Sequence, residues 1–316
     1  MSYDVIILAP GCLNQTFNTP GVVENACFVR NVVDAMVIRQ RVSDCFEKAS
    51  LPGKTDEEQR NLLHFVIVGG GPTGIELSAE LCDLFNHSFA KLYPHLKGKP
   101  SLAIHDVAPN ILSVFDAKLQ DYALSSFSKR GVQVVTKSHI QRVDADSITT
   151  AEHGRIPTGL VIWATGNRCT RLVESLPVAL TPRLPRILTD EFLRVYSKDG
   201  ETILPDAYAL GDAADIKDAS LPTTAEVACQ KAEYLAKTLN KGVTGKFEYQ
   251  QKAIVAYLGQ RDGVVAGEHE SSLTGQRAWM AWRSKNFWWT RSWRQKVFVV
   301  VAWVLDWVVG RGIAPV

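Results

Sequence analysis

Apolar positions along the chain change period in an order that predicts alternating strands and helices. Residues 5–8, Val-Ile-Ile-Leu, are a short apolar run ended by Pro10-Gly11, a strand entering a turn. Asn14 to Gly21, with Thr19-Pro20-Gly21, reads as loop. From Val29 to about Lys48, Val32, Val33, Met36, Val37, Val42 and Phe46 recur at helical spacing. The polar stretch from Leu51 to Gln59 reads as a linker and a candidate domain boundary. A buried strand, Phe65-Val-Ile-Val68, then runs through a glycine turn into a helical stretch carrying Ile75, Leu77, Ala79 and Leu81. Residues 102–106 are the next strand, 116–130 a helix and 131–136 a further strand, a β-α-β-α-β run of the doubly wound kind. Ile140 to Ile148 alternates as a sheet edge. Residues 159–166 and 208–214 are each a buried strand stopped by a small-residue turn. A long helix from Thr223 to about Leu239 follows, and 253–258 and 263–266 read as short strands.

With 316 residues, 46% hydrophobic and 22% charged, the chain is an ordered globular protein of one to three domains. A net charge of +2 carries no nucleic-acid footprint. The six cysteines (Cys12, Cys27, Cys45, Cys82, Cys169, Cys229) are scattered without a CxxC, and the seven histidines form no HExxH. That pattern argues against a metal site and for reduced thiols in an intracellular compartment. Cys12 and Cys27 can pair in principle, but nothing in the spacing demands it. No signal or transit peptide is legible, because Tyr3 to Leu8 already reads as strand.

The glycine turn carries the first chemistry. Gly69, Gly71 and Gly74 fill GxGxxG, with Gly70, Pro72 and Thr73 completing the loop. The three glycines serve a tight turn, close backbone approach to a pyrophosphate, and close packing of helix on strand. The helix N-terminus offers its N–H groups and positive dipole end to the phosphates. Asp106 ends the second strand, where an acid bonds adenosine ribose hydroxyls and repels a 2′-phosphate, favouring NAD(H). Its separation from Gly74 exceeds the usual ~20 residues, and 86–100 reads as the insertion responsible. The alternative for Asp106 is a solvated strand-end acid. Ala164-Thr165-Gly166 and Gly211-Asp212 are ordinary turns taken singly, and Asp212 also suits a helix N-cap.

In order along the chain, the segment 14–21, GGGPTGIELSAEL, 111–116, LVIWATGN, YALGDAAD, 224–230 and Arg294-Gln-Lys296 before an apolar Trp-containing tail resemble type II (alternative) NADH dehydrogenases, especially fungal and plant mitochondrial members. The resemblance spans nearly the whole chain. It implies an α/β, Rossmann-like two-dinucleotide-binding flavoprotein fold, with the NAD domain intact, the FAD domain incomplete, and a C-terminal amphipathic membrane-associated helix. The implied parts are an FAD-domain remnant at 1–50, the NAD(H) domain at 60–165, and the C-terminal part of the FAD domain at 166–250. The strands and basic, Trp-rich anchor follow at 251–316. The implied activity is NADH:ubiquinone oxidoreduction without proton pumping: hydride from NADH to FAD, then two electrons to a quinone in the respiratory chain.

The resemblance also assigns residues. Ala164, Thr165 and Gly166 line the junction of the NAD and FAD domains, and Gly211 and Asp212 hold the flavin ribityl or phosphate region. Thr224 and Ala225 open the flavin-side helix. Glu76 lies near the nicotinamide, although an acid in a first helical turn also stabilises the dipole. The family's AQxAxQ reads here Ala225-Glu226-Val227-Ala228-Cys229-Gln230, so Gln230 matches while Glu226 replaces a glutamine. A carboxylate there disfavours reduced anionic flavin and donates to a quinone only when protonated.

Seven of the eight tryptophans lie from Trp279 onward, and from Arg277 to the end seven basic residues accompany one acid, Asp306. Tryptophan and Arg/Lys beside a short apolar helix are the composition of an interfacial anchor. The alternatives are a buried helix and a homodimer interface. The family's GRD-type ending reads Gly310-Arg311-Gly312, without the aspartate. The FAD-side GxGxxG is not found in the sequence, which leaves a fragment or a degenerate, non-catalytic NAD(H)-binding homologue as the alternative. A disulfide reductase lacks its CxxxxC pair here. The resemblance places the protein peripherally on the mitochondrial inner membrane.

Overall fold

Five parallel strands form the sheet that carries the glycine turn, in the order Ala26–Phe28, Leu160–Trp163, His64–Val68, Ser101–His105, Val132–Val135. The three central strands are apolar and buried on both faces, as a sheet flanked by helices requires. The computed structural model describes residues 3–182, 184–242, 244–267, 272–290 and 292–309. Its contacts divide the chain into two compact units: Thr16–Thr165 with Lys252–Val316, which holds this sheet, and Met1–Gln15 with Gly166–Gln251.

In the larger unit the helix Val32–Ala49 opens on an Asn31/Asp34 capping box. Its buried face is Ile38, Val42, Cys45, Phe46 and Ala49, while Val32, Val33, Met36 and Val37 in its first two turns are exposed. The stretch read as a linker instead contains a helix, Asp56–Leu62, because Thr55 and Glu58 form a second capping box. The span read as a sheet edge over 140–148 holds two strands, Ile140–Val143 and the start of Ser147–Thr150, and Gly154–Pro157 completes a three-stranded antiparallel sheet. The Asp144 N–H closes the turn between the first two onto the Ser147 carbonyl. The insertion at 86–100 coils into a π-helical turn, Phe85–Phe89, and short helical turns at Ala90–Leu92 and Pro94–Leu96. It packs Phe89 against Phe46 with ring centroids 4.2 Å apart.

The strands Ile254–Gly259 and Asp262–Ala266 form a hairpin that docks on the helices Pro72–Leu84 and Ala117–Lys129 through buried polar bonds. Tyr257 Oη donates to Asp83 Oδ2 at 2.6 Å, and the Gln260 N–H donates to the same carboxylate. Arg130 donates to the Leu258 and Gly259 carbonyls and lies 3.6 Å from Asp262, which also accepts from Tyr122 and Ser126. The helices Gly275–Trp289 and Trp293–Val308 follow.

The smaller unit has a mixed sheet in the order Ile6–Leu8, Ile203–Ala209, Arg194–Tyr196, Ile187–Thr189, Ala214–Ile216, and a two-stranded ladder of Leu13–Asn14 with Asn167–Arg168. Its helix Ala225–Lys241 is capped by Thr224 Oγ1 and ended by Gly242 in the left-handed region.

His105 is 2% exposed, with Nδ1 2.8 Å from Ser138 Oγ. Burial, reinforced by the charges of His64 and His153, lowers its pKa from 6.5 to about 4. The unfolded chain therefore takes up this proton as pH falls through about 6.5, while the folded chain resists until about 4. Stability present above the higher value is lost across that window, on the order of 3 kcal/mol. Urea unfolding at stepped pH should show this loss in the parent and a flatter profile in His105→Gln. Parallel profiles would show that His105 does not cause it.

Candidate functional site

The loop Gly69–Gly74 lies where the strands His64–Val68, Ser101–His105 and Leu160–Trp163 end. A Cβ on Gly74 would stand 2.0 Å from the Gly69 carbonyl oxygen, so only glycine lets the helix Pro72–Leu84 approach its strand this closely. Gly69 itself, at φ +118, packs against the Ala164 carbonyl and Thr165. Gly71 is exposed, with nothing within 4 Å of a Cβ position. The helix begins at Pro72 with no side-chain cap, so the N–H groups of Thr73 and Gly74 are presented by geometry at an exposed turn.

Asp106 is not a solvated strand-end acid. Its Oδ2 accepts from the Gly70 N–H at 2.5 Å and its Oδ1 from the Ala108 N–H at 2.7 Å. These bonds fix the carboxylate beside the glycine loop, and each oxygen retains capacity for a second donor. Glu76, one turn into the helix, accepts from the Tyr257 N–H at 3.1 Å and from Trp282 Nε1 at 2.9 Å. Burial pushes its carboxyl up, against the lowering effect of those bonds. Tyr257 stacks on Trp282 at 4.9 Å. Nothing in the sequence marked Tyr257 or Trp282 as partners of Glu76 and Asp83 on this helix, because the contacts join distant segments.

In the smaller unit Gly211 turns at φ +75 and Asp212 follows in a single 3-10 turn, Gly211–Ala213. Asp212 is not a helix N-cap; its carboxylate accepts from the Cys12 thiol at 3.3 Å. Both line a cavity of about 230 Å³ with Arg168, Cys169, Arg186 and Thr223. Gly166, at φ +67, accepts from the Gln15 N–H. Thr224 and Ala225 are exposed at the head of the flavin-side helix of the sequence reading. On that helix Gln230 Nε2 donates to Glu226 Oε1 at 2.8 Å and to the Gln250 carbonyl, whose own N–H returns to Gln230.

Beside this cavity Asp215 pairs with Arg186 at 2.7 Å and accepts from Ser220. Lys231 is 1% exposed, and burial together with the Arg186 charge lowers its pKa to about 8 against the pull of Asp215. Among the described residues, Arg186 Nε and Thr238 Oγ1 are the buried polar side-chain atoms without a hydrogen-bond partner. Among those residues no group of three His, Cys, Asp or Glu is placed to hold a metal.

A glycine-looped parallel sheet in one unit and a Gly-Asp turn in a second define an oxidoreductase of the two-dinucleotide-binding flavoprotein fold. The model of the pyridine nucleotide-disulphide oxidoreductase family matches residues 1–232. A Dictyostelium discoideum protein named as a probable NADH dehydrogenase is 35% identical, over 99% of this chain and 69% of that protein. The external alternative NAD(P)H-ubiquinone oxidoreductase B4 of Arabidopsis thaliana mitochondria is 42% identical, over 68% of this chain and 37% of that protein. The solved structure of NDH2 from Plasmodium falciparum in complex with NADH superposes with a TM-score of 0.90 at 24% identity, over 99% of this chain and 80% of that one. The chain belongs to the pyridine nucleotide-disulphide oxidoreductase family and, within it, to the type II, or alternative, NADH dehydrogenases. It spans about two thirds of the Dictyostelium relative and little more than a third of the Arabidopsis one.

The glycine contacts separate two substitutions of the same type. Gly74→Ala should cost about 3 kcal/mol or more in urea unfolding, because backbone has to move. Gly71→Ala, in open space at φ −74, should stay within about 1 kcal/mol of the parent. Equal losses would contradict the close approach at Gly74.

Proposed function

We propose that this chain oxidises NADH and passes two electrons through FAD to a ubiquinone-type quinone. The cradle at Gly69–Gly74, closed by Asp106, carries the reading. A Cβ at 69, 70 or 74 would collide with the Ala164 carbonyl, Ile111 or the Gly69 carbonyl. Glycine thus keeps the loop tight while Gly71 is left open, which fits a pyrophosphate drawn close to backbone. In this reading Gly69, Gly70, Gly71, Pro72, Thr73 and Gly74 hold the NADH pyrophosphate, and Asp106 holds the adenosine ribose. Glu76 stands near the nicotinamide, steadied by Tyr257 and Trp282.

On the smaller unit, Gly211, Asp212, Thr224 and Ala225 hold the flavin, with Ala164, Thr165 and Gly166 at the chain segment that leads from one unit to the other. The cavity at Asp212, with the unpartnered Arg186 Nε beside it, fits an oxygen-rich ligand. FAD, when bound, supplies the two-electron relay between hydride donor and quinone. Gln230 offers an amide donor to a quinone carbonyl. Glu226, which accepts from that amide, competes for it and makes quinone reduction less favourable than a glutamine would.

The mitochondrial Arabidopsis relative supports a mitochondrial site of action. Peripheral attachment to the inner membrane through the C-terminal helices, and a homodimer, belong to the same proposal. Trp293 and Trp307 are each 80% exposed, and Val297, Phe298, Val304 and Leu305 are exposed between them. No helix among the described residues is long and apolar enough to cross a membrane. The helix Trp293–Val308 is about 24 Å long against a hydrocarbon core of about 30 Å. The terminal segment 310–312 lies outside the described residues.

Two measurements test the reading. The purified protein should show flavin absorbance and NADH-dependent quinone reduction, and Asp106→Asn should lower the NADH-over-NADPH preference in kcat/KM by roughly tenfold. NADH binding with no flavin and no turnover would instead identify a non-catalytic NAD(H)-binding homologue, and an unchanged preference would remove Asp106 from the ribose site. Co-sedimentation with vesicles containing anionic lipid should be strong at low salt and fall as salt rises, since each basic residue at the surface contributes about 1 kcal/mol. Protein left in the supernatant at low salt would overturn the attachment.

A further inference from the structure

Two cysteines distant in sequence meet in the smaller unit. The ladder pairs Asn14 with Asn167 and Leu13 with Arg168, and the Gln15 N–H donates to the Gly166 carbonyl at 3.3 Å one step earlier. The ladder ends at Leu13–Arg168, and its register continued by one step sets Cys12 opposite Cys169. Opposed antiparallel pairs alternate between bonded and non-bonded, so counting from the bonded Gln15–Gly166 pair puts the cysteines at a non-bonded position. Cα atoms there stand about 4.5 Å apart with their side chains closest, inside the range of about 4.4–6.8 Å that a disulfide spans.

Independent observations agree with that placement. Cys12 and Cys169 both line the cavity of about 230 Å³ at Asp212. Both are buried and stand reduced. Each thiol donates to its own carboxylate, Cys12 to Asp212 and Cys169 to Glu174, both at 3.3 Å. Each sulfur therefore has an acceptor in place for its proton. The remaining cysteines lie elsewhere: Cys27, Cys45 and Cys82 belong to the core of the larger unit, and Cys229 is on the helix Ala225–Lys241.

We propose that Cys12 and Cys169 are a reversible redox pair that closes to a cross-strand disulfide when the protein meets a peroxide. Cys12 sulfur attacks the peroxide as its proton passes to Asp212. An S–O bond forms, the O–O bond breaks, and the hydroxide released takes up a proton to leave as water. Cys169 sulfur, its proton passing to Glu174, then attacks the Cys12 sulfenic sulfur. The S–S bond forms, the S–O bond breaks, and a second water departs. Two thiols lose two electrons and one peroxide becomes two waters. Burial and the Glu174 bond push the Cys169 thiol up, so its attack depends on handing its proton to Glu174 as the S–S bond forms.

Closure withdraws the thiol donor from Asp212 and draws both side chains across the cavity. That this loosens flavin is the one consequence resting on the function proposed above.

The full chain, reduced and desalted, is exposed to hydrogen peroxide, quenched with an alkylating agent, digested and analysed by mass spectrometry. A peptide pair joined through Cys12 and Cys169 is expected as the dominant linkage, lighter by two hydrogens than the separate thiol peptides and lost on treatment with dithiothreitol. Cys169→Ser should lose the linkage and leave a Cys12 sulfenic acid that dimedone traps. Cys12 and Cys169 both still alkylated while Cys229 has been oxidised, or linkage to other cysteines, would overturn the proposal. The peptide readout does not require flavin, so failure of flavin binding and failure of the redox pair are distinguishable.

Discussion

The helix Pro72–Leu84 lies against its strand so closely that the space for a side chain at Gly74 is occupied by the Gly69 carbonyl. Much of the larger unit follows from that approach. It fixes where the helix N-terminus emerges relative to the strand ends, and it leaves the first-turn N–H groups uncapped at the edge of the sheet. The strand Ser101–His105 is tied to the same loop by Asp106 on the Gly70 N–H, and Leu160–Trp163 by the contact of Gly69 with the Ala164 carbonyl. Three strand ends thus converge on one glycine turn, at the switch point where doubly wound sheets bind their ligands.

The far face of that helix has a different task. Glu76 and Asp83, almost two turns apart, both accept hydrogen bonds from the hairpin 254–266, and Glu76 accepts a further one from Trp282 on the helix beyond it. Arg130, on the turn after the neighbouring helix, holds the other end of the hairpin through two carbonyls and Asp262. Such partly buried charges are costly unless each finds donors or acceptors, and here each does. The hairpin is thereby registered on the dinucleotide sheet, and the exposed, aromatic C-terminal helix extends from that same unit.

In the smaller unit polar chemistry gathers around one cavity. Asp212, Cys12, Cys169 and Arg186 line it, and the buried ions Asp215 and Lys231 lie behind. A lysine pushed down to about 8 and an arginine Nε without a partner mark a region where charge is held out of water. That is a strained electrostatic setting for a structural core and a serviceable one for an oxygen-rich cofactor.

The sequence by itself determined the strand–glycine–helix unit, the place of Asp106 and the family, because each rests on local spacing: apolar runs of period two or 3.6 and glycines at fixed offsets. It determined the strand cores 64–68, 101–105, 132–135 and 160–163 for the same reason. It misread 51–59 as linker and left the turn inside the sheet edge 140–148 unmarked, where short-range capping and turn bonds build or break elements within a few residues. Only the tertiary structure decided what no spacing encodes. The Asp83–Tyr257 and Glu76–Trp282 bonds, and the ladder that pairs Leu13 with Arg168, join segments that the chain separates by more than a hundred residues. A side chain's partner across such a separation is set by how sheets and helices pack, and that information appears only once the fold has brought the segments together.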